Sequence, residues 1–286
     1  MIFFMKYEEC DLNEKFLQPL KNIPDAPEHL WRQGKIPRKT KQQKVVAIVG
    51  ARRCTKYGEE IAYRLAFDLA KLGVFIVSGL AYGIDTCAHR GCLDGGGITV
   101  AVLGTPINKI HPRSNYGLAR RILEKGAIIS EYPVDYETHA WNFLERNRIV
   151  SGLSDAVVIV EASDHSGTLR TASYAADQGK YVYVVPGDLT RPMSRGCNML
   201  LRDACPFISV EDFALRALHM NVKIRKRNNL APDERRIVEQ IKLGLRSGDE
   251  IAQKLDISSS KFNQIITLLE LKNVVCALGC NQWTLV

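Results

Sequence analysis

The sequence predicts an α/β fold, in which an extended Rossmann-like, doubly wound and mostly parallel sheet precedes a small C-terminal winged-helix domain. Val- and Ile-rich runs of strand length recur between residues 45 and 185 without polar alternation, which is typical of strands buried on both faces. Segments with helical periodicity separate these runs, so we expect consecutive strands to be parallel. Gly and small polar residues follow the runs, at the strand ends where such sheets bind ligands.

The apolar runs predict six strands, and the periodic segments predict the helices between them. Ile61, Leu65 and Leu69 recur every four residues and predict a helix after the first strand. We assign residues 1–44 to an N-terminal lead-in segment and residues 45–218 to the Rossmann-like domain. The predicted strands are Val45–Val49, Val74–Val77, Ile98–Leu103, Ala127–Ile129, Ala156–Val160 and Tyr181–Val185.

The composition changes after residue 218. Residues 219–229 are polar and basic and predict a linker, and residues 230–286 predict the winged-helix domain. Periodic apolar residues predict helices over Pro232–Leu243, Ser247–Leu255 and Ser258–Lys272. Two short runs around Gly279-Cys280-Asn281 predict a hairpin, which completes the order of a winged helix-turn-helix.

The chain is basic, with 39 Lys and Arg against 31 Asp and Glu among 286 residues, a net charge of +8. The excess lies in two flanks, residues 35–44 and 216–227, which each carry five basic residues and no acidic one. A basic balance is compatible with binding to nucleic acid. The flanks are equally compatible with solvated linkers. The sheet domain between them is nearly neutral, so it would need its arginines clustered on one face in order to bind nucleic acid.

Cysteine spacing and hydropathy limit the other classes of function. None of the eight cysteines forms a C-x-x-C pair, so we expect reduced thiols and no metal site. No stretch approaches the roughly 20 apolar residues of a membrane span, and the apolar start lacks the features of a signal peptide. We therefore expect a cytoplasmic protein that has no membrane partner.

The first strand-to-helix turn has the composition of an anion site. Gly50 permits a tight turn, and Arg52, Arg53 and Lys56 add positive charge where backbone amides and a helix dipole would meet a phosphate. Neither Gly-x-Gly-x-x-Gly nor a P-loop motif occurs, so we expect no dinucleotide or other cofactor. The alternative is a plain tight turn with surface arginines.

The second strand ends in Ser78-Gly79, and Gly83 permits a tight entry into the next helix. Asp85 and His89 are four residues apart and would share a face of that helix. One hypothesis pairs His89 with Ser78 and Asp85 for catalysis. The alternative, which we favour, is a capping Asp and a hydrogen-bonded His.

Two later motifs could also meet phosphates. Ser166, Gly167 and Thr168 follow a strand and can offer hydroxyls and amides, although helix caps often look the same. The segment Arg146-Asn147-Arg148 supplies two forked cations, whose alternative role is to form salt bridges with Asp or Glu.

These motifs, and their order along the chain, resemble those of the DprA/Smf family. They are Gly-x-Arg, Ser-Gly-Leu-Ala-x-Gly-Ile-Asp-x-x-Ala-His, Arg-Asn-Arg-Ile, Ser-Gly-Thr-Leu-x-Thr-Ala and Val-Pro-Gly. The resemblance covers residues 17–215 strongly and implies sequence-independent binding of single-stranded DNA without enzymatic turnover. It also implies protection of incoming DNA and RecA loading in natural transformation, and a homodimer. By position, Arg52 matches the family's Gly-x-Arg arginine, and Lys180 matches a usually basic position.

The sequence departs from the family pattern at two positions that bear on binding. Tyr82 stands where the family commonly has Arg, and a Tyr there could stack on a base. Arg170 stands where the family usually has an apolar residue, and we hypothesise that it replaces some of the lost charge.

Two other functions compete with this interpretation. One is a nucleotide-binding or nucleotide-processing Rossmann enzyme of the LOG-like superfamily, but this chain has only Gly167-Thr168 of that motif and lacks its downstream catalytic Glu. The other is a transcription regulator that reads duplex DNA through the winged helix. Residues 228–286 carry seven basic and seven acidic groups, whereas a duplex reader usually shows a basic face.

Overall fold

The computed structural model describes residues 6–220, 230–272 and 274–285. The chain divides into two compact units, Met1–Lys223 and Ile224–Val286. Nearly all of the linker predicted at 219–229 lies outside the described residues, so its character stays a prediction. In the described part of the chain, no helix is long and apolar enough to cross a membrane.

Within the described residues of the first unit, nine strands form one sheet in the order β1-β2-β6-β5-β4-β3-β7-β8-β9. All six predicted strands are confirmed as β3 to β8, whereas β1, β2 and β9 were not predicted. The strands are β1 (Glu8–Glu9), β2 (Trp31–Gly34), β3 (Val45–Val49), β4 (Phe75–Ser78), β5 (Thr99–Leu103), β6 (Ala127–Ser130), β7 (Ala156–Ile159), β8 (Tyr181–Val184) and β9 (Cys205–Pro206).

The direction of the strands makes the sheet doubly wound. Strands β3 to β9 pair in parallel, and β1 and β2 pair antiparallel at the edge beside β6. The chain moves outward from β3 to β6 and then returns to the other side of β3 as β7. The strand order therefore reverses between β3 and β7, which is where open α/β sheets bind ligands.

Helices connect the strands and cover the sheet. The first of them begins at Thr55, whose side chain accepts a hydrogen bond from the amide of Gly58, and buries Leu65 and Leu69 as its periodicity predicts. The helices are α1 (Lys56–Lys71), α2 (Ile84–Asp94), α3 (Tyr116–Leu123), α4 (Asn142–Glu145), α5 (Asn147–Gly152), α6 (Gly167–Asp177), α7 (Pro192–Leu200) and α8 (Val210–Arg216).

Two large apolar cores fill the two faces of the sheet, and a smaller apolar cluster joins α3 to strands β5 and β6. Ile48 of β3 packs in one core with Leu65 of α1 and Phe213 of α8. Ala47 faces the other core, which includes α5 and α6 and also the lead-in residue Phe16. Full burial of a Phe or Leu side chain contributes about 1.5–3 kcal/mol. The lead-in is therefore part of the same packed unit as the sheet.

The second unit has the predicted elements. They are α9 (Pro232–Lys242), α10 (Gly248–Leu255) and α11 (Ser259–Leu271), followed by the antiparallel hairpin of β10 (Val275–Gly279) and β11 (Gln282–Leu285). The side chains of Ser247 and Ser258 cap α10 and α11. Ile237, Phe262 and Leu269 lie at the centre of its apolar core.

The cysteines are all free thiols. Burial raises the pKa of Cys10, Cys92 and Cys197 to about 12 in each case. Among the residues that the structure describes, no group of three or more His, Cys, Asp or Glu side chains is arranged to hold a metal ion.

Candidate functional site

An open depression of about 450 Å³ lies at the carboxyl ends of β3 and β7, where the strand order reverses. Loops that follow three strands form its wall together with the start of α6 and the segment around α4. The lining residues are Val49, Gly50, Ala51, Arg52, Arg53, Ala81, Asp85, Ala140, Phe143, Leu144, Arg146, Asn147, Ser163, Ser166, Gly167, Thr168, Thr171 and Met193.

The structure brings about half of the predicted site residues together on this wall. Those that line the depression are Gly50, Arg52, Arg53, Arg146, Asn147, Ser166, Gly167 and Thr168. Those that do not line it are Lys56, Gly79, Tyr82, Gly83, Arg148, Arg170 and Lys180.

The loop after β3 is held by a buried carboxylate at the end of β7. The Glu161 carboxylate accepts hydrogen bonds from the amide of Thr55 at 2.8 Å and from the Thr55 hydroxyl at 2.6 Å. The backbone oxygen of Glu161 accepts a hydrogen bond from the amide of Ala51 at 2.7 Å. Because these bonds tie the loop after β3 to the end of β7 at both of its ends, the intervening Arg52 and Arg53 lie on a fixed backbone.

Arg52 and Arg53 are the cations that this loop presents to solvent. Both side chains are exposed, and within the described part of the chain neither forms an ion pair. The Arg52 guanidinium lies over the ring of Phe143, 5.3 Å from its centroid. Lys56 points elsewhere and pairs with Glu59 at 2.7 Å. The depression therefore offers two unpaired arginines to an anion.

The second loop is locked against the first. Gly83 has φ +72°, and a Cβ there would lie 2.3 Å from the backbone oxygen of Ala51, so only glycine fits. Asp85 accepts hydrogen bonds from the amides of Gly79 at 3.0 Å and Ala81 at 3.4 Å. Tyr82, on the same loop, is 51% exposed but does not line the depression.

Arg146 is a buried structural residue, which corrects the prediction that it presents a free fork to phosphate. Its guanidinium donates to the backbone oxygens of Gly79, at 2.7 Å, and Val102. Burial lowers the pKa of Arg146 to about 10, so it stays protonated at neutral pH. Burial likewise raises the pKa of the Asp85 carboxyl, and the Arg146 charge counteracts that rise.

Arg148 has the alternative role that the sequence left open, which is a salt bridge with an acidic residue. It forms an ion pair with Glu131, and only 11% of its side chain is exposed. Asn147 lies between these arginines and accepts a hydrogen bond from Nε of Arg146 at 3.1 Å. Sequence motifs alone do not distinguish an arginine that holds a loop from one that meets a ligand.

The start of α6 borders the depression through a capped helix end. The Ser166 side chain accepts a hydrogen bond from the Thr168 amide at 3.2 Å and donates to the Thr168 hydroxyl at 3.0 Å. The predicted capping role is therefore present at the depression itself. Arg170 is exposed beyond the wall, and its guanidinium lies over the ring of Tyr174 at 5.2 Å.

Lys180 lies at the opposite edge of the sheet, which corrects its placement with the other site residues. It comes directly before β8, so it stands at the amino end of a parallel strand. Its neighbours there include Lys15 and Gln18 of the lead-in, and burial lowers its pKa.

The structure does not assemble Ser78, Asp85 and His89 into a catalytic group. The Ser78 hydroxyl donates to the backbone oxygen of Ile48 at 2.6 Å, and Asp85 accepts backbone amides. Nδ1 of the buried His89 lies 2.7 Å from the hydroxyl of Thr99, and burial lowers the His89 pKa to about 3. The histidine is therefore neutral and internal at physiological pH.

Sequence reasoning missed a second depression of about 640 Å³ beside the first. Phe143 lines both, and Lys109, His111, Arg113 and Tyr116 line the second. The sequence did hold a signal for this second depression. The segment Lys109–Tyr116 follows β5, and the carboxyl end of β5 lies at the same sheet edge as those of β3 and β7.

Comparison with known proteins identifies the family. The sequence model of the family described as DNA recombination-mediator protein A matches residues 10–218, which is more than half of the chain. The chain belongs to this family, DprA/Smf. The matched range contains the whole depression and nearly all of the described sheet unit.

Known proteins of similar sequence support the same family. Protein Smf of Escherichia coli is 37% identical over 238 residues, which cover 79% of this chain and 63% of that protein. A putative DNA processing protein DprA of Mycobacterium tuberculosis is 40% identical over 187 residues, which cover 65% of this chain and 48% of that protein. The chain thus spans less than two thirds of the length of either relative.

Solved structures share the fold. DNA processing protein A of Streptococcus pneumoniae is 32% identical, with a TM-score of 0.67 and coverage of 75% of both chains. The Helicobacter pylori protein is also 32% identical, with a TM-score of 0.64 over 73% of this chain and 94% of that one. The Helicobacter pylori structure concerns the single-stranded DNA binding mode of that protein.

Proposed function

We propose that the sheet unit binds single-stranded DNA without strong sequence preference, at the depression between β3 and β7. The observation that carries this proposal is the pair Arg52 and Arg53, exposed and unpaired on a loop that Glu161 fixes. Two cations at the switch point of the sheet suit a phosphate backbone. Membership of the DprA/Smf family, with a relative that binds single-stranded DNA, supports this assignment.

In the cell, the proposed role is that of a DNA-processing protein in natural transformation. The chain would protect incoming single strands, load RecA onto them and act as a homodimer in the cytoplasm. A homodimer gives a light-scattering mass of twice 32.1 kDa. Unchanged RecA filament growth in its presence would remove the loading role and leave DNA binding intact.

We propose binding without turnover rather than the LOG-like nucleotide chemistry. The carboxylate on the wall of the depression is Asp85, which is occupied by two backbone amides. Glu161 at the end of β7 is likewise engaged by Thr55. Incubation with nucleoside monophosphates, followed by chromatography of the products, tests this directly, and a released base would contradict it.

The test compares labelled oligo-dT with a duplex of equal length by fluorescence anisotropy at two salt concentrations. We expect the single strand to bind more tightly. Arg52→Ala should weaken its binding and lower the salt slope by about 0.7, the value for one phosphate contact on a single strand. Lys125→Ala is the matched control, because this exposed lysine precedes β6 at the opposite edge.

Two outcomes would overturn the proposal. One is equal or better duplex binding that Arg52→Ala does not change. The other is loss of binding in a chain that ends at residue 227, because that result would place the DNA on the second unit.

A further inference from the structure

Residues 138–143 form a ridge between the two depressions. Ala140 lines the first depression, Thr138 lines the second, and Phe143 lines both. Trp141 stands on this ridge with 48% of its surface exposed. Its ring stacks on His139, with 5.7 Å between ring centroids and 6° between the planes.

The ridge holds this ring pair in place through a buried side chain. Asn142 is fully buried, and its Oδ1 accepts a hydrogen bond from the His139 amide at 2.6 Å. The Asn142 amide donates to the His139 oxygen at 3.2 Å, and the Leu144 amide donates to the Trp141 oxygen at 2.9 Å. The backbone under both rings is therefore fixed before any ligand arrives, which lowers the entropy lost on binding.

The apolar cores do not account for the position of Trp141. It belongs to none of the apolar clusters that the described residues form, and its partner His139 is itself exposed. A flat aromatic stack beside the proposed phosphate site has the chemistry that unpaired nucleobases recognise, because every base presents a π-face. A double helix hides those faces within its own stack, so the feature selects for single strands.

We propose that Trp141, supported by His139, is a stacking platform for a nucleobase of the strand whose phosphates meet Arg52 and Arg53. This inference rests on the proposed function and deepens it. It assigns base contact to the ridge and charge contact to the loop after β3. Trp141 is thus a binding residue that discriminates strands with bases from strands without them.

The test separates stacking from charge. Trp141→Ala should weaken oligo-dT binding by about 5-fold or more, the lower limit for loss of one base stack, and leave the salt slope unchanged. Trp141→Phe should retain most of the affinity. An abasic strand of equal length should bind wild type and Trp141→Ala alike. Tyr181→Ala is the control, because this residue is 51% exposed at the opposite edge and should have no effect.

A second readout uses the ring itself. In a Trp31→Phe/Trp283→Phe background, Trp141 is the remaining tryptophan, and its fluorescence should be quenched by oligo-dT but not by the abasic strand. Unquenched fluorescence together with wild-type affinity in Trp141→Ala would overturn the platform. If Arg52→Ala still weakens binding in that case, the proposed function stands. If wild type shows no preference for single strands, both fail.

Discussion

Replacement of the buried Arg146 tests whether this arginine holds the site together or binds DNA. In Arg146→Met, the backbone oxygens of Gly79 and Val102 lose their donor, and the buried Asp85 loses a nearby positive charge. A hydrogen bond to a charged group contributes about 1.5–3 kcal/mol, so the loss of both lowers the free energy of unfolding by about 3–6 kcal/mol. That is a large part of the 5–15 kcal/mol typical of a domain.

The assay is urea unfolding in a Trp283→Phe background, where Trp31 and Trp141 report on the sheet unit. Arg146→Met should lower the midpoint strongly. Where the protein is still folded, the salt slope of DNA binding should remain that of the wild type. Arg52→Met is the control with the opposite behaviour. It should change stability by no more than about 0.5 kcal/mol, as an exposed substitution, but lower the salt slope.

A double-mutant cycle sharpens this result. Asp85→Asn keeps the shape of the carboxyl group and removes its charge, so the cost of Arg146→Met should be smaller in that background. An unchanged midpoint together with a salt slope lowered by about 0.7 in Arg146→Met would contradict the structural role, because Arg146 would then behave as a phosphate ligand.

Three further predictions follow from burial. Because burial lowers the pKa of His89 to about 3, the wild type should lose stability relative to His89→Gln as pH falls below 6.5, by about 1.4 kcal/mol per unit down to pH 3. Urea midpoints at pH 7, 5.5 and 4.5 measure this, and parallel curves would contradict it. Gly79→Ala should destabilise by about 1–3 kcal/mol, since its Cβ would lie 2.3 Å from the Arg146 guanidinium, and a thermal melt equal to wild type would exclude this clash. Iodoacetamide should label the exposed Cys205 and Cys280 first, as read by mass spectrometry. Equal labelling rates would contradict the burial of Cys10, Cys92 and Cys197.

The central strands could be predicted because burial on both faces leaves a continuous apolar run. The strands that were missed lack that signal. Glu8–Glu9 is two acidic residues, Trp31–Gly34 mixes polar and aromatic residues, and Cys205–Pro206 is only two residues long. Each belongs to the sheet through pairing with a neighbouring strand, which a local pattern does not contain.

The candidate site was predictable where it depends on strand ends and unpredictable where it depends on tertiary partners. The loop that carries Arg52 and Arg53 lies where the parallel-sheet rule places it. The burial of Arg146 depends on oxygens from two other strand regions, and the Arg148 ion pair depends on Glu131. The position of Lys180 could have been predicted from the sequence, because a residue that directly precedes a strand lies at the amino end of that strand.

The most direct test of the central claim maps where a bound single strand lies. Oligonucleotides with 5-bromodeoxyuridine, cross-linked by ultraviolet light in the presence of excess duplex competitor, would be located on the full chain by peptide mass spectrometry. The proposed site gives cross-links within residues 50–57, 138–147 and 163–171, and Arg52→Ala reduces their yield. Cross-links confined to residues 230–285, or to the basic flank at 35–44, would contradict the placement of single-stranded DNA at the sheet edge.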